Sequence, residues 1–541
     1  MRKACFVVTI LLTSLSVTFA QSLQDTLTVI DQMFSRYQPD RPGCQLSLSR
    51  SGKLIYSKAW GMADMEHQVP MTNFSINEAG SVSKQFTAAA VFLLEQQQKL
   101  GLQDNIRMYL PELPIYDDPI TISQLIHHTS GLRDWGTISE LAGWPRTTKT
   151  YNNTNVLQIV SEQKSLNNKP GTKFIYSNSN YNLLAIIVER VSGMSLAEYT
   201  RKHIFLPAGM IHTQWRDDFK RIVVNRALAY SADKGEFKTD MPNENAYGNG
   251  GLLTTTEDLI KWNEYYWNGQ FGTPSLLAKL IETDRFIDGS LNSYGAGLFV
   301  SKRYGLDFIQ HSGATAGYRA MLERFPQLDL SIAWLSNSAQ FDTARTNLIV
   351  EVEKLFIGNT TQKESPSNSS PDRPIVIPYD QLQRYAGQYQ SGITGSVSFQ
   401  ITDKKLAIGD QVLAPTQATQ FKWGEGAFDF TQTHQVAYIN PPFDHYTFYK
   451  VDSTKAAIDL YLGTYYSDEV KASFTIELKD GKLLLHQAPA NDYPIIVINK
   501  DHFMVPDLRA DLRFTKTKTG QVTNFAITMA RAFNIKFNKV K

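Results

Sequence analysis

Cysteine is almost missing from this chain: 541 residues hold two, Cys5 and Cys44. Cys5 lies in a stretch read below as removable, so Cys44 is left alone and no intrachain disulfide can staple the fold. Stability must come from packed cores. Beyond Phe19 no run is long and apolar enough to cross a bilayer as a helix. There is no excess of one charge either, since 54 Lys and Arg face 52 Asp and Glu. A near-neutral exported chain is a poor partner for nucleic acid. Metal-ligand clusters are also scarce. His127 and His128 are adjacent, but neighbours on a helix point apart, and no further His or Cys follows at ligand spacing. Histidines that hydrogen-bond and close a helix are the expectation there. The glycine-rich turn Gly248–Gly251 lacks the Gly-Lys-Ser/Thr that would cradle phosphate, so it reads as a close backbone approach. Neither a metal nor a cofactor is expected.

What is present begins with Arg2 and Lys3, the apolar stretch Ala4–Phe19, and small Thr18 and Ala20. That is a secretory signal cleaved after Ala20. Its removal takes away two cations and no acid, so the formal charge goes from +2 to zero. No cysteine stands at the cleavage point to carry a lipid, and a secreted or periplasmic location is expected. The length suggests about two to four domains, and the 42% hydrophobic share is ordinary for a folded protein.

Residues 21–37 have Leu23, Leu27, Ile30 and Phe34 on one side of a helix. Cys44, Leu46 and Leu48 alternate with polar residues, Ser51-Gly52-Lys53 turns, and Leu54–Trp60 returns as a hairpin. Thr121 caps a short helix that ends at His127-His128. Tyr181, Leu184, Ile187 and Val191 mark a helix stopped by Gly193. Phe308–Gln310, Tyr318–Phe325 and Leu330–Leu335 read as strands of one antiparallel sheet. Residues 358–374 are rich in Ser, Asn, Thr and Pro with no apolar period, which is a linker. Beyond it Tyr385-Ala386-Gly387-Gln388-Tyr389 recurs as Tyr461-Leu462-Gly463-Thr464-Tyr465, each followed by alternating residues and a turn. Two related all-β units, small barrels, are expected.

The chemistry gathers at Glu78–Lys84. Val82, Phe86, Ala89 and Leu93 recur at helical spacing, with Gly101 as the expected stop. Ser81 then sits at the mouth of a buried helix, with Lys84 one turn on. A serine hydroxyl is a weak nucleophile until a base touches it, and a lysine in an apolar wall can be that base. Ser-x-x-Lys occurs three times, at Ser81, Ser161 and Ser231, and only the first opens a long apolar helix. An N-terminal cap is the plainer reading of Ser81 taken alone. Tyr176 and Asn178, two residues apart in an extended piece, can point the same way. Gly313 has room for a ligand backbone along its strand, and the Ala314 N–H could then face the nucleophile.

Ser81-Val82-Ser83-Lys84, Tyr176-Ser177-Asn178 and His311-Ser312-Gly313, in that order, resemble the three signatures of the penicillin-recognising serine hydrolases. That family holds class C β-lactamases, D-alanyl-D-alanine carboxypeptidases, D-aminopeptidases and related esterases. The likeness extends to His128–Leu132, Pro170-Gly171-Thr172, Gly250-Gly251-Leu252 and Gly313–Tyr318, and covers about Leu27 to Leu355. It implies a β-lactamase-like α/β (α+β) fold, an antiparallel sheet flanked by helices, followed by the all-β barrel-like domains. The expected boundaries are 1–20 for the signal, 21–357 for the hydrolase domain, 358–376 for the linker, and 377–455 and 456–541 for the two β-rich domains.

Carried over residue by residue, the resemblance makes Ser81 the nucleophile and lets Lys84 and Tyr176 share the proton work. Asn178 orients substrate and Lys84. His311 stands where many relatives have lysine, to hold a substrate carboxylate or tune Tyr176. The N–H groups of Ser81 and Ala314, beside Gly313, would form the oxyanion hole. The histidine favours a D-amino-acid peptidase, amidase or esterase over an efficient β-lactamase. The alternatives are a β-lactamase or a non-catalytic penicillin-binding or ligand-binding protein. The implied substrates are small molecules or short peptides, with homo-oligomerisation left open.

Overall fold

The computed structural model describes residues 23–340 except 36 and 147, residues 348–357, and residues 375–540 except 425, 433, 441–443, 453–456 and 490. The stretch read as a signal, 1–20, and nearly all of the linker 358–376 lie outside them. The chain divides into two compact units that cut across its order. One comprises the described parts of Met1–Leu100, Leu184–Thr283 and Gly295–Pro366. The other comprises Gly101–Leu183, Asp284–Tyr294 and the described parts of Ser367–Lys541.

The first unit is built on a six-stranded antiparallel sheet. Its strands are β1 (Cys44–Arg50), β2 (Lys53–Trp60), β3 (Phe299–Arg303), β4 (Leu306–Thr315), β5 (Tyr318–Phe325) and β6 (Leu330–Ser336). They lie in the order β3-β4-β5-β6-β1-β2, so the N-terminal hairpin completes a sheet begun more than two hundred residues later. The expected hairpin and the three later strands are all present, within a few residues of the expected limits.

The alternation in β1 separates two buried faces. Cys44, Leu46 and Leu48 join Ile30, Phe34, Phe308, Phe325, Ile332 and Val352 in one apolar core. The polar partners face the helix Thr256–Trp267, where Ser47 Oγ meets Thr256 Oγ1 at 2.7 Å and Ser49 Oγ donates to Glu264 Oε1 at 2.6 Å. A buried hydroxyl needs a partner, and each finds one. Residues 23–34 are helical. The helix Lys84–Gln96 buries Phe86, Ala88–Phe92 and Leu94. It ends short of Gly101 because Gln98 takes the left-handed conformation, φ 56°, that closes the last turn.

In the second unit, short helices precede two nine-stranded antiparallel sheets, spanning Gly387–Lys450 and Gly463–Lys539. Each is a meander whose ninth strand pairs back with its first, and only the fourth and fifth strands are unpaired with each other. That makes each a nearly closed barrel, filled by aromatic cores around Tyr389, Phe399 and Phe428 in one and Tyr465, Phe474 and Phe525 in the other. The second core also takes Ile138 and Leu141 from the helix Trp135–Leu141. Among the described residues no helix is long and apolar enough to cross a membrane.

Candidate active site

Ser81 lies in a 3-10 turn, Gly80–Ser83, that runs straight into the helix carrying Lys84. The turn is pinned from below. Ala79 N–H donates to Leu252 O at 2.8 Å, Ser83 Oγ donates to Gly80 O at 2.5 Å, and Leu252 N–H donates to Ser83 Oγ at 3.1 Å. Just before it, Glu78 is fully buried and takes Arg216 Nε at 2.8 Å and its Nη2 at 3.2 Å, a two-point ion pair. Arg216 N–H donates to Gly251 O at 2.7 Å, which ties the same brace to the glycine-rich loop.

Lys84 is fully buried, and its Nζ lies 3.0 Å from Ser81 Oγ. The same nitrogen donates to Asn249 O at 2.6 Å. Next to it Thr87 Oγ1 donates to Gly248 O at 2.8 Å. The Gly248–Gly251 turn therefore presents carbonyls to the helix and fixes the amine, which fits the close approach expected from its glycines. Asn249 acts through its backbone and was invisible as a side-chain motif. Ser81 itself remains partly exposed, as a nucleophile must be.

Strand β4 passes beside the turn. Thr315 and Tyr318 flank a two-residue turn and form the closing pair of β4 and β5. In an antiparallel ladder alternate residues turn their N–H groups away from the partner strand. Ala314, one step back, thus turns its N–H outward toward the Gly80–Ser83 turn. A Cβ on Gly80, whose φ is +49°, would stand 2.6 Å from the Ala314 nitrogen. A Cβ on Gly313 would stand 2.0 Å from Ala79 O and 3.1 Å from the Ser81 nitrogen. Gly313 is thus small because the chain's own backbone crosses it, a sufficient reason without any ligand. Two glycines thus let the backbone of the Ser81 turn and that of Gly313-Ala314 approach each other closely.

His311 is buried, with Nδ1 donating to Ser312 O at 2.6 Å and its ring 5.3 Å from that of Phe299. Burial, helped by the Lys84 charge, pushes its pKa down to about 3. The ring is neutral at physiological pH and supplies no cation for a carboxylate.

Tyr176 and Asn178 belong to the second unit. Asn178 opens the helix Asn178–Ser192, so the extended spacing expected for the pair stops at Ser177. Asp134 Oδ2 accepts the Asn178 N–H at 2.7 Å, and Asp134 also caps the helix Trp135–Leu141. Tyr176 packs among rings, 4.2 Å from His128 and 6.1 Å from Tyr294 between centroids. His128 Nδ1 accepts the Ser177 N–H at 3.2 Å, and His127 Nδ1 donates to Ser123 O at 3.0 Å. Both histidines have the structural role expected of them. Among the described residues no group of three or more His, Cys, Asp or Glu side chains is placed to hold a metal.

Residues 25–354 match the beta-lactamase family. Penicillin-binding protein 4* of Bacillus subtilis is 28% identical over 69% of this chain and 86% of its own length. A D-aminopeptidase of Cereibacter sphaeroides is 26% identical over 81% of this chain and 82% of its own. The D-aminopeptidase of Gluconobacter oxydans is 28% identical, and the match spans only 52% of each chain. Among solved structures, the octameric penicillin-binding protein homologue from Pyrococcus abyssi covers 95% of this chain and 99% of its own, with a TM-score of 0.54 and 19% identity. The D-amino acid amidase from Ochrobactrum anthropi SV3, complexed with L-phenylalanine amide, covers 62% of this chain and 97% of its own, with a TM-score of 0.52 and 22% identity.

Proposed function

The chain belongs to the beta-lactamase family and is a serine hydrolase; we propose that Ser81 is its nucleophile and that its substrates are short D-amino-acid peptides, amides or esters. The observation that carries this is the 3.0 Å contact between Lys84 Nζ and Ser81 Oγ, made by an amine anchored on a backbone carbonyl. Ser81 Oγ attacks the substrate carbonyl, and Lys84 and Tyr176 share the work of taking its proton, as the family resemblance implies. The oxyanion is held by the N–H groups of Ser81 and Ala314. Collapse returns the proton to the departing amine or alcohol and leaves an ester on Ser81, which water hydrolyses. Asn178 orients the substrate and Lys84. The D-aminopeptidase relatives support the D-amino-acid preference, and the neutral His311 supports a peptidase or esterase over a β-lactamase.

The test is turnover of D-alanine p-nitroanilide and a short-chain p-nitrophenyl ester by the wild type and Ser81→Ala. Turnover that survives the substitution rules out the assignment. A fluorescent penicillin that labels any peptide other than the Ser81 peptide does so too. The Arg2-Lys3 pair and the apolar Ala4–Phe19 support export before action, and an unprocessed N-terminus on protein recovered from the producing cells counts against it. The octameric relative supports self-assembly, which sedimentation of the purified chain decides.

A further inference from the structure

After Leu183 the chain leaves the second unit and comes back first for the short segment Asp284–Tyr294. That segment is seated by its backbone and by one amide. Ile287 N–H donates to Gly171 O at 2.9 Å, Asn292 Nδ2 donates to His127 O at 3.0 Å, and Tyr294 N–H donates to Asn292 Oδ1 at 3.2 Å. The segment ends on a buried phenol, Tyr294. A phenylalanine would fill the same space, so the hydroxyl calls for a reason of its own. Buried hydroxyls are kept where they have a partner.

The partners are two more phenols of the same unit. The Tyr294 ring lies 4.8 Å from His128, 5.6 Å from Phe174 and 6.1 Å from Tyr176, which it meets edge to face at 89°. Burial, then the charges and hydrogen bonds of Tyr181 and Tyr176, push the Tyr294 pKa well above 10. Tyr294 therefore keeps its proton and stays a donor when a neighbour loses one. His128 packs 4.2 Å from the Tyr176 ring and uses its Nδ1 on the Ser177 N–H. It holds the plane of the ring, while Tyr294 meets the oxygen.

Counting protons gives this contact a direction. A phenol has one proton to give and lone pairs to receive. Tyr181 gives its proton to Ile126 O at 2.8 Å, so toward Tyr294 it can only accept. A neutral Tyr176 can donate to Tyr294, which leaves the Tyr294 proton on Tyr181. A Tyr176 oxygen that gains negative charge can only accept, and the Tyr294 proton turns to it.

We propose that Tyr294 is a positioning residue, which fixes the Tyr176 phenol and stabilises negative charge on its oxygen. The inference rests on the hydrolase reading, in which Tyr176 shares the proton transfer, and deepens it.

The test compares four full chains: wild type, Tyr294→Phe, Tyr176→Phe and the double variant. Tyr294→Phe should lower kcat/KM for a p-nitrophenyl ester at pH 7 about tenfold, as loss of a hydrogen bond to a charged group warrants. In the Tyr176→Phe background the same substitution should cost less than twofold, because Tyr294 acts through that phenol. A merely structural tyrosine would cost the same in both backgrounds. Melting curves check the fold.

The Tyr176 phenol is also titrated directly, in chains that carry Ser81→Ala and ring-labelled tyrosine, by carbon NMR. Its signal is the one that Tyr176→Phe removes. The midpoint should rise by about one pH unit in Tyr294→Phe, because the anion loses a donor. Equal losses in the two backgrounds, no loss in either, a midpoint that stays or falls, or a wild-type phenol that does not titrate before the chain unfolds overturns the proposal. The two readings fail separately. Ester turnover that survives Ser81→Ala defeats the hydrolase reading, whereas the midpoint, read in chains without that serine, tests Tyr294 alone.

Discussion

Lys84 Nζ donates to the Asn249 carbonyl at 2.6 Å across 165 residues of sequence, and from that anchor it meets Ser81 Oγ at 3.0 Å. The carbonyl takes up one N–H and fixes the direction of the amine. Ser81 then faces a nitrogen whose position is set before any substrate arrives, which is what a low barrier to proton transfer requires.

Replacing either partner should therefore stop the chemistry without unfolding the chain. Ser81→Ala and Lys84→Ala should each lower kcat/KM for a p-nitrophenyl ester by about a thousandfold or more, and the double variant should lose little beyond either single one. Lys84→Arg should fare no better, because a guanidinium does not give up its proton. Melting curves of the same variants check the fold.

Gly80→Ala tests the donor pair. The new methyl group would stand 2.6 Å from the Ala314 nitrogen on a backbone with φ +49°. Expected are about 1–3 kcal/mol of lost stability from the strained angle and a fall in kcat of about a hundredfold to a thousandfold from a displaced oxyanion donor. Denaturant titration and steady-state kinetics read the two separately.

Glu78→Ala removes the two-point partner of the buried Arg216 and leaves the weaker 3.9 Å contact with Glu244 beside it. Removing one partner of a buried pair typically costs about 3–5 kcal/mol. A drop in melting temperature is expected, with loss of ester turnover at temperatures where the remaining fold persists, because the pair braces the segment leading into Ser81.

The pH profile of activity should owe nothing to His311. Its pKa is held down to about 3 against an ordinary 6.5, so the ring does not change charge between pH 5 and 8. His311→Asn should leave the shape of the rate profile in that range unaltered, whatever it does to the height. A lost limb in the variant would show that His311 titrates there.

Stability should carry a different pH signature. Glu323 is buried in the first unit against Glu353, and desolvation, with the neighbouring carboxylate, raises its pKa well above 4.5. Arg303, 3.0 Å from Glu353, offsets part of that for its own partner. The folded chain thus keeps a proton that the unfolded chain surrenders above about pH 4.5. Stability is fully present below that value and falls as pH rises toward the folded pKa. Glu323→Gln should flatten the fall, measured as melting temperature between pH 5 and 8.

Much of this was legible because it is local. The Cys44–Trp60 hairpin, the cap at Thr121 and each Tyr-x-Gly-x-Tyr declare themselves within a short stretch of chain. The three signature patches are short strings for the same reason. What escaped depends on residues far apart acting through their backbones or as pairs. The Asn249 carbonyl has no side-chain signal, and Glu78 and Arg216 look unremarkable until they are buried together. Gly313 invited an explanation by ligand when its own neighbour Ala79 is the cause.

The way each barrel is sealed has a genetic consequence. Val451 N–H donates to Gln388 O in one, and Val540 N–H donates to Thr464 O in the other, both at 2.9 Å. The polypeptide thus enters and leaves each unit at adjoining points. A segment with its two ends side by side can be duplicated or transplanted in tandem without disturbing what flanks it.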